Sequence, residues 1–159
     1  MGFYLFIPFL IIVLDQVSKY FACRFLGQQD TVPLVKGVFH LTLTGNQGAA
    51  FSILQGGLVF FVIVSAVCIF GIIAMLCRPR LLKTVLGFDA ADKLIKISLA
   101  LILGGACGNL IDRLRLGYVV DFLDFRVWPV FNLADSAITV GALLICWKMI
   151  FRGHKARQE

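Results

Sequence analysis

The sequence predicts an all-α membrane protein with four transmembrane helices and a small β-rich segment outside the membrane between the first and second helices. Three observations predict this fold class. Of the 159 residues, 60% are hydrophobic and only 15% are charged, which is far from the composition of soluble domains. The apolar residues are gathered into four long runs, and a segment of alternating apolar and polar residues lies between the first two.

The four runs are each close to the roughly 20 apolar residues that a helix needs to cross a bilayer. They cover approximately residues 3–23, 57–77, 94–111 and 135–150. No basic residue precedes the first run and no small-residue cleavage site follows it, so we expect a retained helix rather than a cleaved signal peptide. A chain of this length is expected to form a single integral membrane domain over residues 1–159.

Lysine and arginine are unevenly distributed along the chain, whose net charge is +6. The connection between the second and third runs and the C-terminal tail are strongly basic, whereas the connections 24–56 and 112–134 balance acids and bases. Because basic loops remain on the cytoplasmic side, we expect both termini in the cytoplasm and these two connections outside. The basic excess then faces anionic membrane lipids, and we expect no nucleic-acid partner.

The first outer connection contains the predicted β-rich segment. Residues 31–35 are followed by Gly37 and then by alternating apolar and polar residues over 39–44. A period of two residues is typical of a strand with one buried face. We therefore expect a small sheet lying on the outer membrane surface.

Asp15 and Lys19 lie inside the first predicted helix, four residues apart. This spacing places them on one helix face, where they can pair. An ionisable residue in a membrane helix indicates a functional site by default, because an unpaired charge there is costly. An internal ion pair that fixes helix packing explains the two residues equally well, and we assign them to structural support.

Asn46 and Gly48 lie just before the second predicted helix, on the outer side. The glycine allows close backbone approach, and the asparagine offers both a donor and an acceptor. This run also fits a simple turn into a helix. At the outer end of the third helix, two glycines four residues apart form a packing pattern. Packing does not explain why Asn109, Asp112 and Arg113 follow on successive turns.

Asp121 and Asp135 lie at the end of one outer connection and the start of the fourth helix. Asn132 fits a helix N-cap, and Asp135 at the third helical position is favourable against the helix dipole. Capping explains one acid but not both. If the fold brings the two carboxylates together at low dielectric, they share a proton. Such a pair supplies a general base and a general acid.

No other constellation in the chain offers hydrolytic chemistry. The sequence contains no Ser/His or Cys/His pairing and no group with metal-ligand spacing, so we expect no metal and no cofactor. The five cysteines are scattered and odd in number, which is typical of small apolar side chains inside helices.

The residues alone leave several functions open. An aspartate-dependent membrane hydrolase fits the paired acids, and a proton-coupled transporter could use the same acids but should line its midplane with them. A purely structural membrane subunit would not need so many polar residues gathered on one side. A protein that binds lipidated substrates without cleaving them would keep the pocket and tolerate the loss of an aspartate.

Taken together, these segments resemble bacterial signal peptidase II, the lipoprotein signal peptidase. The resemblance spans nearly the whole chain and is carried, in order, by five motifs: Asp15-Gln16-Val17-Ser18-Lys19, Asn46-Gln47-Gly48-Ala49-Ala50-Phe51, the run 104–113, Val120-Asp121-Phe122 and Phe131-Asn132-Leu133-Ala134-Asp135-Ser136. Each motif is weak alone, but five in this order are highly specific.

The resemblance implies an intramembrane aspartic endopeptidase of the bacterial inner membrane, active near its outer face. Its substrates would be prolipoproteins that carry a diacylglyceryl group on the lipobox cysteine, cleaved on the N-terminal side of that cysteine. Globomycin-type cyclic peptides are implied as inhibitors. We expect contacts with membrane lipids and a monomeric enzyme.

The resemblance also assigns residues. The catalytic pair would be Asp121 and Asp135. Because Asp135 lies nearer a helix N-terminus, our own mechanistic hypothesis is that it stays ionised and orients water, while Asp121 donates to the leaving nitrogen. The residues that would bind substrate or support the pair are Asn46, Gly48, Asn109, Asp112, Arg113 and Asn132. The stretch between the two acids is short for the family.

Overall fold

The protein folds into five helices and three strands in the part of the chain that the structure, a computed structural model, describes: residues 2–27, 31–48, 57–89 and 91–155. The elements are, in chain order, α1 (Gly2–Phe25), β1 (Thr31–Val35), β2 (Phe39–Asn46), α2 (Leu58–Cys77), α3 (Pro79–Leu86), α4 (Lys93–Leu116), β3 (Val119–Asp124) and α5 (Leu133–Lys155).

Four of these helices are long and apolar enough to cross a membrane, which confirms the predicted fold class. The spanning segments are Tyr4–Phe25, Leu58–Cys77, Lys93–Leu116 and Leu133–Phe151. Many large apolar side chains on α1, α2 and α5 face outward, as expected for helices in contact with lipid. The chain is therefore a multi-pass membrane protein.

The short helix α3 was not predicted, because residues 79–86 are too few and too charged to register as a spanning run. The helix begins with Pro79 at its first position and ends at Gly87, whose φ of 73° is the left-handed conformation that terminates many helices. Leu82 is 1% exposed and packs in one cluster with Ile72 of α2 and Ile95 of α4. This cluster fixes the end of the bundle opposite the sheet.

Helix α4 is the central helix and packs against α1, α2 and α5. Two of its glycines permit this packing. A Cβ on Gly104 would lie 2.8 Å from the Cβ of Ile11, and one on Gly108 would lie 2.6 Å from the Asp15 Oδ2. The predicted small-residue spacing thus serves helix packing. It also allows the Asp15 carboxylate to lie directly against α4.

Helix α4 continues to Leu116, five residues beyond its predicted end. Apolar composition ends near residue 111, but the backbone remains helical until Gly117, whose φ is 78°. Asp112 and Arg113 therefore lie on the last turns of a helix rather than in a loop. Their side chains are directed by the helix toward its neighbours.

The three strands form one antiparallel sheet in the order β1-β2-β3, at the end of the bundle where α1 and α4 end and α5 begins. The sequence predicted β structure only between the first and second helices, and β1 and β2 are there. The third strand comes from the connection between α4 and α5. It was missed because β3 is buried on both faces and lacks the alternation that marks a half-buried strand.

Candidate active site

Strand β3 places Asp121 in the interior, where the residue is 1% exposed. Pairing with β2 sets Asp121 opposite Thr44, two strand positions from the pair that Asn46 forms with Val119. The Asp121 carboxylate accepts hydrogen bonds from the Asn46 Nδ2 at 3.0 Å and from the Asn132 Nδ2 at 2.6 Å. Both carboxylate oxygens are thus held by amide donors.

Asp135 lies in the first turn of α5, at the third helical position as the sequence predicts. Its Oδ1 accepts a hydrogen bond from the Asn109 Nδ2 at 2.7 Å, and its Oδ2 lies 3.4 Å from the backbone nitrogen of Asn132. In return, the Asp135 backbone N–H donates to the Asn132 Oδ1 at 2.9 Å. This reciprocal arrangement is a capping box, so Asn132 is the N-cap of α5.

One buried amide joins the two acids. The Asn132 Nδ2 donates to Asp121 at 2.6 Å and lies 3.1 Å from the Asn109 Oδ1, and Asn132 itself is fully buried. The side-chain oxygen of Asn132 meanwhile caps Asp135. The fold therefore brings together the two carboxylates that the sequence predicted as a pair.

Burial raises the pKa of Asp121 to about 7, and the neighbouring charge of Asp135 adds to the shift. Hydrogen bonds from Asn46 and Asn132 and the positive charge of Lys19 act in the opposite direction without overcoming it. Near neutral pH, both protonation states of Asp121 are therefore populated. A carboxyl group in this condition can either give or take a proton.

The spacing of Asn46 and Gly48 has a local structural reason. The Gly48 backbone N–H donates to the Asn46 Oδ1 at 3.0 Å, which closes a turn through the side chain. With its oxygen held in this way, the amide directs its NH₂ group at Asp121. The rest of this motif, residues 49–51, lies outside the described residues.

Arg113 lies beside the pair on the last turns of α4. Its guanidinium Cζ is 5.3 Å from the ring centroid of Phe61 on α2, a cation–π arrangement. The guanidinium also interacts electrostatically with Asp135, Asp121 and Asp112. A fixed cation next to the two acids is suited to binding a carbonyl oxygen of a peptide.

Asp112 points into the protein instead. It is 3% exposed, and its oxygens accept hydrogen bonds from the Gln16 Nε2 at 2.9 Å and from the Val120 backbone N–H at 3.1 Å. Its position fits support of the site rather than contact with a substrate. Gln16 was not among the predicted site residues, although its place next to Asp15 was a usable signal.

The predicted pair of Asp15 and Lys19 is present, with the Lys19 Nζ 2.8 Å from the Asp15 Oδ2. Lys19 has a second ionic partner that the sequence did not reveal, the Asp112 Oδ2, also at 2.8 Å. Within the described part of the chain, no cluster of three or more His, Cys, Asp or Glu residues has the arrangement needed to hold a metal ion.

Comparison with known proteins identifies similar chains. The family model of signal peptidase II matches residues 7–151. A lipoprotein signal peptidase of Caldanaerobacter subterraneus subsp. tengcongensis is 45% identical over 144 residues, which cover 90% of this chain and 92% of that protein. A lipoprotein signal peptidase of Moorella thermoacetica is 43% identical over 157 residues, 98% of each chain.

Two solved structures of bacterial membrane enzymes have the same fold. The first has a TM-score of 0.83 and 28% sequence identity, covering 94% of this chain and 88% of the other. The second has a TM-score of 0.79 and 29% identity, covering 94% of this chain and 93% of the other.

Proposed function

The chain belongs to the signal peptidase II family of proteases, and from this we propose that it removes the signal peptides of bacterial prolipoproteins by an aspartic mechanism. The substrate is a prolipoprotein with a diacylglyceryl group on its cysteine, and the bond cleaved is the one on the N-terminal side of that cysteine. The observation that carries this proposal is the pair formed by the buried Asp121 and the half-buried Asp135, joined by one asparagine at the sheet-bearing end of a membrane bundle.

The two carboxylates divide the chemistry. Asp135 has the dipole of α5 and the Asn109 amide to stabilise its charge, so we assign it the role of the base that takes a proton from the attacking water. The water oxygen bonds to the scissile carbonyl carbon, and a tetrahedral intermediate forms. Asp121 then gives its proton to the departing nitrogen, and the C–N bond breaks. The pair titrates as a unit, since each charge acts on the other.

Side chains around the pair bind and orient the peptide. Arg113 is placed to attract a carbonyl oxygen near the scissile bond, and Asn46 holds Asp121 in position from the β2 side. Gly48 supports Asn46, Asn109 and Asn132 hold the two acids, and Asp112 holds the strand that carries Asp121. No step requires a metal or a cofactor, because the proton transfers are complete within the pair.

The location of the site suits a lipidated substrate. The substrate reaches the enzyme laterally, with its acyl chains in the bilayer, and the outer boundary is where its scissile bond meets water. The apolar area of two acyl chains supplies most of the binding energy. Globomycin-type peptides occupy the same site, and the enzyme works as a monomeric single domain surrounded by lipid. In this proposal it is an inner-membrane enzyme with both termini in the cytoplasm.

The test is cleavage of a diacylglyceryl-modified prolipoprotein by the purified protein in detergent, without metal or ATP, followed by the mobility shift on a gel. We expect Asp121→Asn and Asp135→Asn each to lose at least about 100-fold in rate, because each removes a proton-transfer group. Asp124→Asn is the matched control. Asp124 lies on the same strand but pairs with Arg126 at 3.0 Å and with Thr42 at 2.8 Å, so this variant should keep its activity.

Each outcome has a definite meaning. Cleavage by the parent and by Asp124→Asn, but by neither of the other variants, supports the aspartic mechanism and both residues. A folded parent that binds the substrate without cleaving it would favour a binding protein. Activity in both Asp121→Asn and Asp135→Asn would show that other residues perform the reaction.

A further inference from the structure

Three buried ionisable side chains, Asp15, Lys19 and Asp112, form a cluster next to the proposed catalytic pair. The Lys19 Nζ lies 2.8 Å from a carboxylate oxygen of each acid, and each of the three residues is 3% exposed or less. Burying three charges carries a large desolvation cost that pairing recovers only in part. Stability alone is therefore a weak explanation for this cluster.

The Asp112 carboxylate is hydrogen-bonded to the strand that carries Asp121. Its Oδ2 accepts the backbone N–H of Val120 at 3.1 Å, and Val120 directly precedes Asp121. Its Oδ1 is fixed separately by Gln16 at 2.9 Å. Together with the pairing of β2 and β3, Asp112 thus fixes the backbone next to Asp121.

The Asp15 carboxylate is hydrogen-bonded in the same way to the helix that carries Asp135. Its Oδ1 accepts the backbone N–H of Ala134 at 3.0 Å, and Ala134 directly precedes Asp135. Its Oδ2 contacts Lys19. The residue before each proposed catalytic acid is therefore held by a carboxylate of its own. The Lys19 ammonium group contacts both of these carboxylates.

Lys19 has a third contact that reaches the pair more directly. Its Nζ donates to the Asn109 Oδ1 at 3.0 Å, and the Asn109 Nδ2 donates to the Asp135 Oδ1 at 2.7 Å. A primary amide has its oxygen on one side and its NH₂ group on the other. A cation bound at the oxygen consequently fixes the NH₂ group toward Asp135.

We propose that Lys19 is a positioning residue for the hydrolysis, which sets the separation of the two catalytic acids through Asp15 and Asp112 and orients Asn109 toward Asp135. The inference rests on the proposed aspartic peptidase function. In this inference, one lysine on α1 aligns Asp121 on β3, Asn109 on α4 and Asp135 on α5. Lys19 does not touch the substrate.

The first test compares Lys19→Met with the double variant Lys19→Met/Asp112→Asn in the prolipoprotein assay. The double variant removes one charge of each sign, so the formal charge of the cluster stays the same, and the new amide at position 112 keeps an oxygen for the Val120 N–H. Lys96→Met is the control, since Lys96 lies on α4 above the Tyr4 ring, away from the site. Thermal unfolding of each variant in detergent reports its folding.

We expect the folded double variant to lose at least about tenfold in kcat with a KM close to that of the parent, because alignment matters mainly in the transition state. In Lys19→Met, the alkaline limb of the kcat/KM profile should move to higher pH. That variant lacks a positive charge that lowers the pKa of Asp121. The other charged groups near Asp121 are Asp135 and Arg113, and both are unchanged in the variant. Lys96→Met should match the parent in both measurements.

Normal kcat in a folded double variant would overturn the inference. It would also be overturned if both Lys19 variants failed to fold while Lys96→Met folded, because that result would indicate a purely structural role. Asp121→Asn in the same assay separates this result from the parent proposal. If Asp121→Asn is inactive and the double variant is fully active, only the role of Lys19 is wrong. If Asp121→Asn is active, the aspartic mechanism itself is wrong.

Discussion

Asn132 is the residue through which the two proposed catalytic acids become one unit. Its NH₂ group binds the Asp121 carboxylate and its side-chain oxygen caps the backbone of Asp135. A carboxylate in place of this amide would add a third acceptor and repel both acids, and an apolar side chain would leave buried acceptors without a donor. An asparagine satisfies both requirements with a single side chain.

The raised pKa of Asp121 predicts a pH-dependent difference in stability between the parent and Asp121→Asn. The folded-state pKa is about 7, above the ordinary value of 3.8, so between these values the native protein binds a proton that the unfolded chain does not. Stability from this group is present below about pH 4 and is lost as the pH rises through 7. The melting temperature of Asp121→Asn relative to the parent should therefore increase from pH 5 to pH 8.

Asp124→Asn provides the control for this measurement. Although burial opposes the shift, hydrogen bonds from Arg126 and Thr42 lower the pKa of Asp124, so its carboxylate is charged at both pH values. Its effect on the melting temperature should be the same at pH 5 and pH 8. An equally constant difference for Asp121→Asn would contradict the raised pKa.

At the level of elements, helix α4 determines how closely α1 can approach the site. Its glycines leave no side chain between the two helices, and the Asp15 carboxylate fills the space above Gly108. This close approach lets a group on the first helix hold the backbone at the start of the last one. Packing and site geometry thus depend on the same contact.

Gly108→Ala should both destabilise the protein and reduce its activity. The new Cβ would lie 2.6 Å from the Asp15 Oδ2 and 3.1 Å from its Cγ, so the carboxylate must move. Overpacking of this kind costs about 1–3 kcal/mol. Thermal unfolding in detergent and the cleavage assay measure the two effects.

Gly71→Ala on α2 is the matched control, because a Cβ there would meet nothing within 4 Å. The free energy of unfolding of Gly71→Ala should equal that of the parent or exceed it by up to about 1 kcal/mol, and its activity should be normal. Equal behaviour of the two alanine variants would show that the contact between Gly108 and Asp15 is unimportant.

At the scale of the whole molecule, the two ends of the bundle differ: the groups proposed for chemistry lie at the end that carries the sheet. Both connections that are predicted to lie outside contribute to this end, with β1 and β2 from the first and β3 from the second. The opposite end is closed by α3 and an apolar cluster. Arg78, Arg80 and Lys83, which belong to the connection predicted to face the cytoplasm, lie at that opposite end.

The predicted orientation can be measured with single cysteines introduced into a variant that lacks the five native ones. Lys36→Cys lies in the exposed turn between β1 and β2, and Lys83→Cys lies on α3, where the lysine side chain is 69% exposed. A membrane-impermeant maleimide should label Lys36→Cys in intact spheroplasts, because this turn is predicted to lie outside. Lys83→Cys should react only after lysis, and the reverse pattern would invert the topology.

Composition and spacing predicted the four spanning helices and the hairpin segment, and they singled out the polar residues that the resemblance then assigned to the candidate site. These features depend on local composition and on polar residues that stand out in apolar runs. Helix α3 and the continuation of α4 to Leu116 were not predictable in this way, since both segments contain charged residues and neither belongs to a long apolar run. Strand β3 was not predictable because full burial removes its alternation.

The sequence by itself determined that this is a membrane protein with four spanning helices. It also determined which polar residues need an explanation, because a charged side chain is costly in the apolar interior of a membrane and is therefore rare there. Tertiary structure alone decided how those residues pair. Lys19 meets Asp112 and Asn109 across about 90 positions of chain, and Asn46 meets Asp121 across 75. Such contacts depend on helix packing and strand register, which set distances in space that no spacing along the chain encodes.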